Sequence, residues 1–139
     1  MSNLEQYNGL PENYFVIDST TAPKKWPVDE VDCSIARAAA VLKLVVAALM
    51  GGNDRTESVI LNDSLWSVQG DVAFVRELAQ HHGAADISEL ARQIDSAINV
   101  VMISLDHGVA TNHVLADTLL LIQSTLMVIK GMSDKLHHR

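Results

Sequence analysis

Apolar residues recur every three to four positions in four separate stretches between residue 28 and the end of the chain. In the first stretch the spacing alternates between four and three residues, at Val31, Ile35, Ala38, Leu42, Val45 and Leu49. This spacing places one apolar stripe along one side of an α-helix. The pattern therefore predicts four amphipathic helices, over residues 29–50, 56–81, 87–106 and 112–136.

Glycines and capping residues mark the ends of these helices. Glycine readily adopts the left-handed conformation that ends a helix, and it follows the first three stripes at Gly51-Gly52, Gly83 and Gly108. Asp86 with Glu89 resembles a capping box before the third helix. Thr111 or Asn112 is the expected N-cap of the fourth helix.

Short turns between long helices make successive helices antiparallel neighbours. The predicted fold is all-α: an up-down-up-down four-helix bundle over residues 28–139, made of two similar helical hairpins. Residues 61–76 (LNDSLWSVQGDVAFVR) and 115–130 (LADTLLLIQSTLMVIK) align without gaps at an offset of 54. The match has two equal explanations: an ancestral duplication, which the matched polar positions suggest, or two amphipathic helices that share their apolar spacing.

Residues 1–27 differ from the rest of the chain, because they contain all three prolines and both tyrosines. Within them, Tyr14-Phe15-Val16-Ile17 is a short apolar run of residues that favour extended backbone. We expect an extended N-terminal arm that lies on the bundle or on a partner subunit. A loose terminal tail is the alternative.

The fourth predicted helix is apolar on more than one face, because Leu120, Leu121, Met127 and Val128 lie outside its stripe. A helix with apolar residues on nearly all sides is usually buried on all sides, whereas each helix of a four-helix monomer keeps one face in water. Either the N-terminal arm or a second subunit therefore covers this helix, and we predict a homodimer.

Composition narrows the class of protein. A length of 139 residues fits one domain, and the single Cys33, which we expect to be buried, excludes an internal disulfide. A net charge of −7 without a basic stripe disfavours direct nucleic-acid binding. The apolar stretches are shorter than the ~20 residues that cross a bilayer, and no signal peptide is recognisable. We therefore predict a cytoplasmic protein without membrane contact.

The sequence contains no nucleophile elbow, phosphate-binding loop or dinucleotide fingerprint, so we predict neither an enzyme nor a cofactor. One metal site is conceivable where the second and fourth helices end at the same end of the bundle. It would use Glu77, His81, Asp134 and His137 as ligands, for example to zinc. The alternative is that the histidines simply suit the negative end of the helix dipole.

The leading interpretation is a small acidic, non-enzymatic regulatory protein that binds another protein. An inhibitor of a host nucleic-acid-binding system is one version of it. Aromatic residues carry much of the energy of protein interfaces, so the predicted partner-binding residues are Tyr14, Phe15, Trp26, Trp66 and Phe74. The alternatives are a sensor that binds an apolar small molecule between the helices and a metal-binding protein that uses the His81 and His137 end.

Overall fold

The computed structural model describes residues 25–51 and 58–138, and within these ranges it contains four α-helices and no β-strand. The helices are α1 (Val28–Met50), α2 (Ser58–His81), α3 (Ala85–His107) and α4 (Asn112–His137). The predicted all-α fold is confirmed, and the helix boundaries lie within two residues of those predicted. The predicted arm, apart from residues 25–27, and the predicted start of α2 at residue 56 lie outside the described ranges.

Each helix packs against two neighbours, in the cyclic order α1, α2, α3, α4, and the backbones of the diagonal pairs do not approach one another. The most extensive contacts join α1 to α4 and α2 to α3. These are the two junctions between the hairpins α1–α2 and α3–α4. Two similar hairpins related by an approximate two-fold axis would make these junctions equivalent, as observed.

The predicted apolar stripes close into one core. Every stripe residue of α1, α2 and α4 is buried, and in α3 only Leu105 is partly exposed. Full burial of an aliphatic side chain of this size contributes roughly 1.5–3 kcal/mol relative to leaving it in water. Because aromatic residues are few, this aliphatic core is the main source of stability.

The repeat noticed in the sequence is retained in three dimensions. Leu65 and Leu119, which match at the offset of 54, are both fully buried. The matched hydroxyls Ser64 and Thr118 each donate a hydrogen bond to the carbonyl oxygen four residues earlier, at 2.9 Å. A second correspondence joins α1 to α3 at an offset of 56, in the pairs Val31/Ile87, Ile35/Ala91, Ala38/Ile94, Leu42/Ile98, Val45/Val101 and Leu49/Leu105.

The helix ends agree with the predictions in part. Gly83 and Gly108 have the left-handed φ values of 67° and 62°, and Thr111 is the N-cap of α4, because its Oγ1 accepts a hydrogen bond from the Val114 amide at 3.2 Å. The expected left-handed cap after α1 is wrong at Gly51, where φ is −72°.

The predicted capping box before α3 is also wrong. The helix begins at Ala85 after Ala84 as N-cap, so Asp86 lies inside the first turn. The tight α2–α3 turn sets this earlier start, because the Ala84 amide donates to the Ala79 carbonyl oxygen at 2.8 Å. Glu89 instead binds Arg92, and this hydrogen bond holds the pKa of Glu89 down, to about 2.

Gly131 offers a stabilising substitution. It lies exposed within α4, and a Cβ atom added there meets no atom within 4 Å. We expect Gly131→Ala to raise the free energy of unfolding by about 1 kcal/mol, because glycine is that much poorer than alanine inside a helix. Urea denaturation measures the change. The control Gly83→Ala has equal space but a φ of 67°, so it should lower the stability by about 1 kcal/mol; stabilisation by both would contradict this interpretation.

Candidate interaction surface

Trp26 joins three helices at one end of the bundle, which we call the Trp26 end. Its indole Nε1–H donates to the Ser133 Oγ of α4 at 2.7 Å, and its ring meets the His82 ring edge-on at a centroid distance of 5.5 Å. The starts of α1 and α3 and the ends of α2 and α4 therefore lie at this end, as predicted. Trp26 is half-buried, so only part of its ring is available to a partner.

His82 packs against Trp26 as a neutral group. Burial lowers the pKa of His82, and the neighbouring His81 lowers it further. Its Nε2 atom is buried and has no hydrogen-bond partner within the described part of the chain. An uncharged imidazole is the form that packs against the indole of Trp26, so this contact is a packing contact rather than an ion-binding site.

The other predicted partner-binding residues lie apart from Trp26. Trp66 lies towards the opposite end of the bundle with 47% of its surface exposed. Phe74 lies two turns further along α2, half-buried against the core. Tyr14 and Phe15 lie outside the described residues. Of these aromatic residues, the three that the structure describes, Trp26, Trp66 and Phe74, do not form one patch.

The four candidate metal ligands do not form a metal centre. In residues 25–51 and 58–138, no three His, Cys, Asp or Glu side chains come together in a way that could hold a metal ion. Asp134 pairs with Lys130 at 3.4 Å, and the His137 ring packs against that of His138. Glu77 and His81 belong to α2, and nothing in this geometry supports the metal hypothesis.

A gap between the four described helices gives the sensor hypothesis little support. A gap beside Ser34, Asp71, Ala91 and Leu126 has an empty volume of about 210 Å³, part of it open to solvent, and it is too narrow to admit a water molecule. Pockets for small organic ligands usually measure about 300–1,000 Å³. An apolar ligand would enter here only if the helices separated.

Charge is unevenly distributed along the bundle axis. We call residues 39–51, 58–69 and 97–123 the apolar half, and residues 25–38, 70–96 and 124–138 the charged half, which includes the Trp26 end. Lys43, Asp63, Asp106 and Asp117 are the only Asp, Glu, Lys or Arg residues in the apolar half. The remaining charged residues of the described chain all lie in the other half.

Exposed apolar side chains show the opposite distribution. Large hydrophobic side chains that are exposed lie in the apolar half, with Met127 and Val128 as the exceptions. Those in the apolar half are Leu44, Met50, Val59, Ile60, Trp66, Val100, Ile103, Val109, Val114, Leu120 and Leu121. Contiguous exposed apolar surface in a folded protein usually marks a site of interaction.

Polar contacts close the grooves on both sides of α2. Arg37 of α1 pairs with Asp71 at 3.0 Å, and burial raises the pKa of Asp71 against the opposing effect of Arg37. Gln69 donates to the Asn99 Oδ1 of α3 at 2.7 Å. These contacts also show which side of α1 and which side of α3 faces α2.

The groove between α3 and α4 carries exposed apolar side chains instead. At 3.6 residues per turn, Val100 lies about 100° around α3 from Asn99, on the side nearer α4. Val100, Val114, Leu121 and Val128 form what we call the α3/α4 face, and all four are exposed. No charged residue occurs between Asp117 and Lys130 of α4. This face is therefore free of charge from Leu121 to Val128, and the exposed Asp117 lies between Val114 and Leu121.

Another surface lies on the other side of α4. The side of α1 opposite Arg37 faces α4, and it carries the buried Ala39 and the exposed Lys43. We call this surface the α1/α4 groove. Leu120 and Met127 are exposed and form its α4 side.

Cys33 lies on the outside of α1, and its side chain is exposed. The expectation of a buried cysteine is wrong, because Cys33 falls between Val31 and Ile35 on the side of the helix turned away from the core. It is the only cysteine of the chain, so it offers a single site for chemical labelling.

Among the described residues, two helices, α1 and α4, are long and apolar enough to span a membrane by length and composition. Within the bundle, 39% of the apolar segment of α1 and 33% of that of α4 is buried. The core helices of a soluble bundle meet the same criterion, so this finding is weak evidence for a membrane. The predicted cytoplasmic location stays a prediction.

Comparison with known proteins identifies no relative. No protein-family model, curated protein or solved structure matches this chain. Function is therefore inferred from the surface of the molecule itself.

Proposed function

We propose that the protein is a non-enzymatic interaction protein that works as a homodimer, and that the second copy binds the α3/α4 face. The exposure of Leu121 carries this proposal: 70% of its surface is in water, and no charged residue follows it on α4 before Lys130. Burying such side chains in an interface contributes about 25 cal/mol per Å² of apolar area.

A second copy fits this face on electrostatic grounds. Two chains that each carry a net charge of −7 repel one another. Docking through a face whose one carboxylate, Asp117, lies towards the start of α4 places few like charges opposite each other. A stable interface needs about 800 Å² per partner, and α4 with 26 residues is about 39 Å long, which provides room for a contact of that size.

A lipid surface fits the apolar half less well. Three of the four charged residues in this half are acidic, namely Asp63, Asp106 and Asp117. Cytoplasmic leaflets carry anionic lipids that attract lysine and arginine and repel carboxylates. The acidic groups around the apolar side chains therefore favour a protein partner over a membrane.

Regulation of another protein by this dimer is the cellular role that we propose. The charged half mixes both signs, with Arg76 and Arg92 close in sequence to Glu77 and Glu89. A mimic of nucleic acid needs a continuous acidic surface, which this mixture does not provide. The charge distribution therefore does not favour the hypothesis of an inhibitor of nucleic-acid-binding proteins.

A matched pair of substitutions tests the proposed interface. Leu121→Glu places a charge in the α3/α4 face and should weaken the dimer about a hundredfold, because it removes roughly 2 kcal/mol of apolar burial and desolvates a carboxylate. Sedimentation velocity over a dilution series measures the dissociation constant.

Leu44→Glu is the control, because Leu44 is 72% exposed but lies on the α2 side of α1. It should leave the dissociation constant unchanged. Equal weakening by both substitutions, or by neither, would contradict the α3/α4 face as the interface. Circular dichroism confirms that both variants keep their helices.

A further inference from the structure

An exposed tryptophan lies beside the groove between α2 and α3. Two hydrogen bonds cross this groove, one from the Asn62 amide group to the Asp106 carboxylate and one from the Gln69 amide group to Asn99. Trp66 lies one turn from both Asn62 and Gln69 on the same side of α2, because residues three and four apart share a helix face. The Trp66 side chain therefore lies between the two hydrogen bonds, and 47% of its surface is exposed.

The corresponding position on α3 is also apolar. Ile103 lies one turn from both Asn99 and Asp106, so α3 repeats the arrangement of α2 in the opposite direction. Because the two hydrogen bonds fix the alignment of the helices, Trp66 and Ile103 lie at nearly the same level along the bundle. Ile103 is 57% exposed. The two helices therefore present one exposed apolar pair between two polar bridges.

Acidic groups without basic partners flank this pair. Asp63 lies one turn before Trp66 on α2, Asp106 lies one turn after Ile103 on α3, and both are exposed. Within the described residues, neither carboxylate pairs with a lysine or arginine, whereas three carboxylates of the charged half do. Lys43, the only Lys or Arg of the apolar half, lies on the α4 side of α1. Trp66, Ile103, Asp63 and Asp106, which we call the Trp66 site, therefore combine apolar surface with unneutralised negative charge.

The chemistry of this site matches a basic, amphipathic segment of another protein. Cations bind favourably over the face of a tryptophan ring. Arginine has a flat cationic group that pairs with carboxylates and an apolar stem that packs on aliphatic side chains. A second copy of the chain would bring a net charge of −7 towards the same acidic surface, and the two copies would repel one another. Anionic lipids would be repelled for the same reason.

We propose that the Trp66 site binds a basic, amphipathic segment of a partner protein, with an arginine or lysine of that segment over the Trp66 ring and beside Asp63 or Asp106. This inference rests on the proposed role as a protein that binds another protein. It does not rest on the dimer, because α2 lies diagonally opposite α4 in the bundle. A dimer formed through the α3/α4 face therefore leaves Trp66 accessible.

Titration with a model peptide tests the site. The probe is a synthetic helical peptide of leucine and arginine, spaced so that one face is apolar and the other basic, and its counterpart carries glutamate in place of arginine. The chain has two indole N–H groups, those of Trp26 and Trp66, and their NMR signals in the ¹⁵N-labelled protein report on two separate places. We expect the basic peptide to shift the Trp66 signal but not the Trp26 signal, and the acidic peptide to shift neither.

Matched variants locate the binding, with dissociation constants measured by isothermal titration calorimetry. Trp66→Ala and the double variant Asp63→Asn/Asp106→Asn should each weaken binding of the basic peptide about tenfold, the effect of losing one strong interfacial contact. Asp29→Asn/Asp86→Asn removes the same total charge at exposed positions of the Trp26 end. It should change the dissociation constant by less than about twofold, because salt screens charges that far away.

Three results would overturn the proposal. Equal weakening by the two double variants would mean that the peptide responds only to net charge. A Trp66 signal that shifts with protein concentration in the absence of peptide would assign the site to a second copy. A dimeric protein whose Trp66 signal ignores the basic peptide would refute this inference and leave the dimer intact. Conversely, a monomeric protein whose Trp66 signal shifts with the basic peptide would refute the dimer and support the Trp66 site.

Discussion

Leu119→Ala should lower the free energy of unfolding by about 4 kcal/mol, because a fully buried leucine loses its side chain and leaves a cavity. Leu119 has 0% of its surface exposed. Leu65, its repeat equivalent in α2, is also 0% exposed, so Leu65→Ala should cost a similar amount. Single domains are stable by about 5–15 kcal/mol in total, and either change removes a large part of that. Urea denaturation followed by circular dichroism measures both.

Leu44→Ala is the matched control, because the same substitution is made at a leucine that is 72% exposed. It should change the stability by no more than about 0.5 kcal/mol. If Leu119→Ala cost no more than Leu44→Ala, the α4 stripe would not be in the core. If Leu65→Ala and Leu119→Ala differed severalfold, the two hairpins would not be structurally equivalent.

Trp26→Ala should lower the free energy of unfolding by about 3 kcal/mol. Truncation of a buried tryptophan costs about 3–5 kcal/mol, and the lower end applies because Trp26 is only half-buried. The change also leaves the fully buried Ser133 hydroxyl without its indole donor. Trp26→Phe keeps most of the packing and should cost about 1 kcal/mol for the lost hydrogen bond.

Trp66→Ala provides the comparison, because Trp66 is the only other tryptophan and is 47% exposed on α2. It should cost less than about 1 kcal/mol, since exposed positions contribute little. Urea denaturation followed by circular dichroism, at one protein concentration, measures the free energy of unfolding of all three variants. If Trp26→Ala and Trp66→Ala lowered the free energy of unfolding equally, the contacts of Trp26 would not stabilise the Trp26 end.

The helices and their arrangement were predictable because the stripes are a local property of the sequence. Alternating spacings of four and three residues identified every buried position of α1 except Ser34 and Ala39, and Thr111 was recognisable as an N-cap. The α1–α3 correspondence was hidden, because a large and a small residue exchange places: Ile35 and Ala38 correspond to Ala91 and Ile94.

Features that depend on neighbouring helices were not predictable in the same way. The separation into a charged and an apolar half becomes visible only when antiparallel helices are aligned side by side. The sequence did contain one indication of this separation: no charged residue occurs at 96–105 or 118–129. Each of these stretches, taken alone, resembles the centre of any buried helix.

The structural role of Trp26 was not predicted, because the sequence did not reveal which residue accepts the hydrogen bond of its indole N–H. Tryptophan suits both interfaces and packed helix ends, since it has an apolar body and one polar N–H group. The indication of a structural role was Ser133, which continues the stripe of Leu126 and Ile129. A hydroxyl at a core position needs a hydrogen-bond partner, and Trp26 provides it.

Sedimentation equilibrium of the unmodified protein tests the proposed assembly most directly. The measurement gives the molar mass in solution without reference to shape, over a range of micromolar concentrations. We predict a mass of twice the 15.1 kDa of one chain, falling towards the single-chain value only on dilution. A mass of 15.1 kDa at every concentration would contradict the proposal that a second copy covers the α3/α4 face.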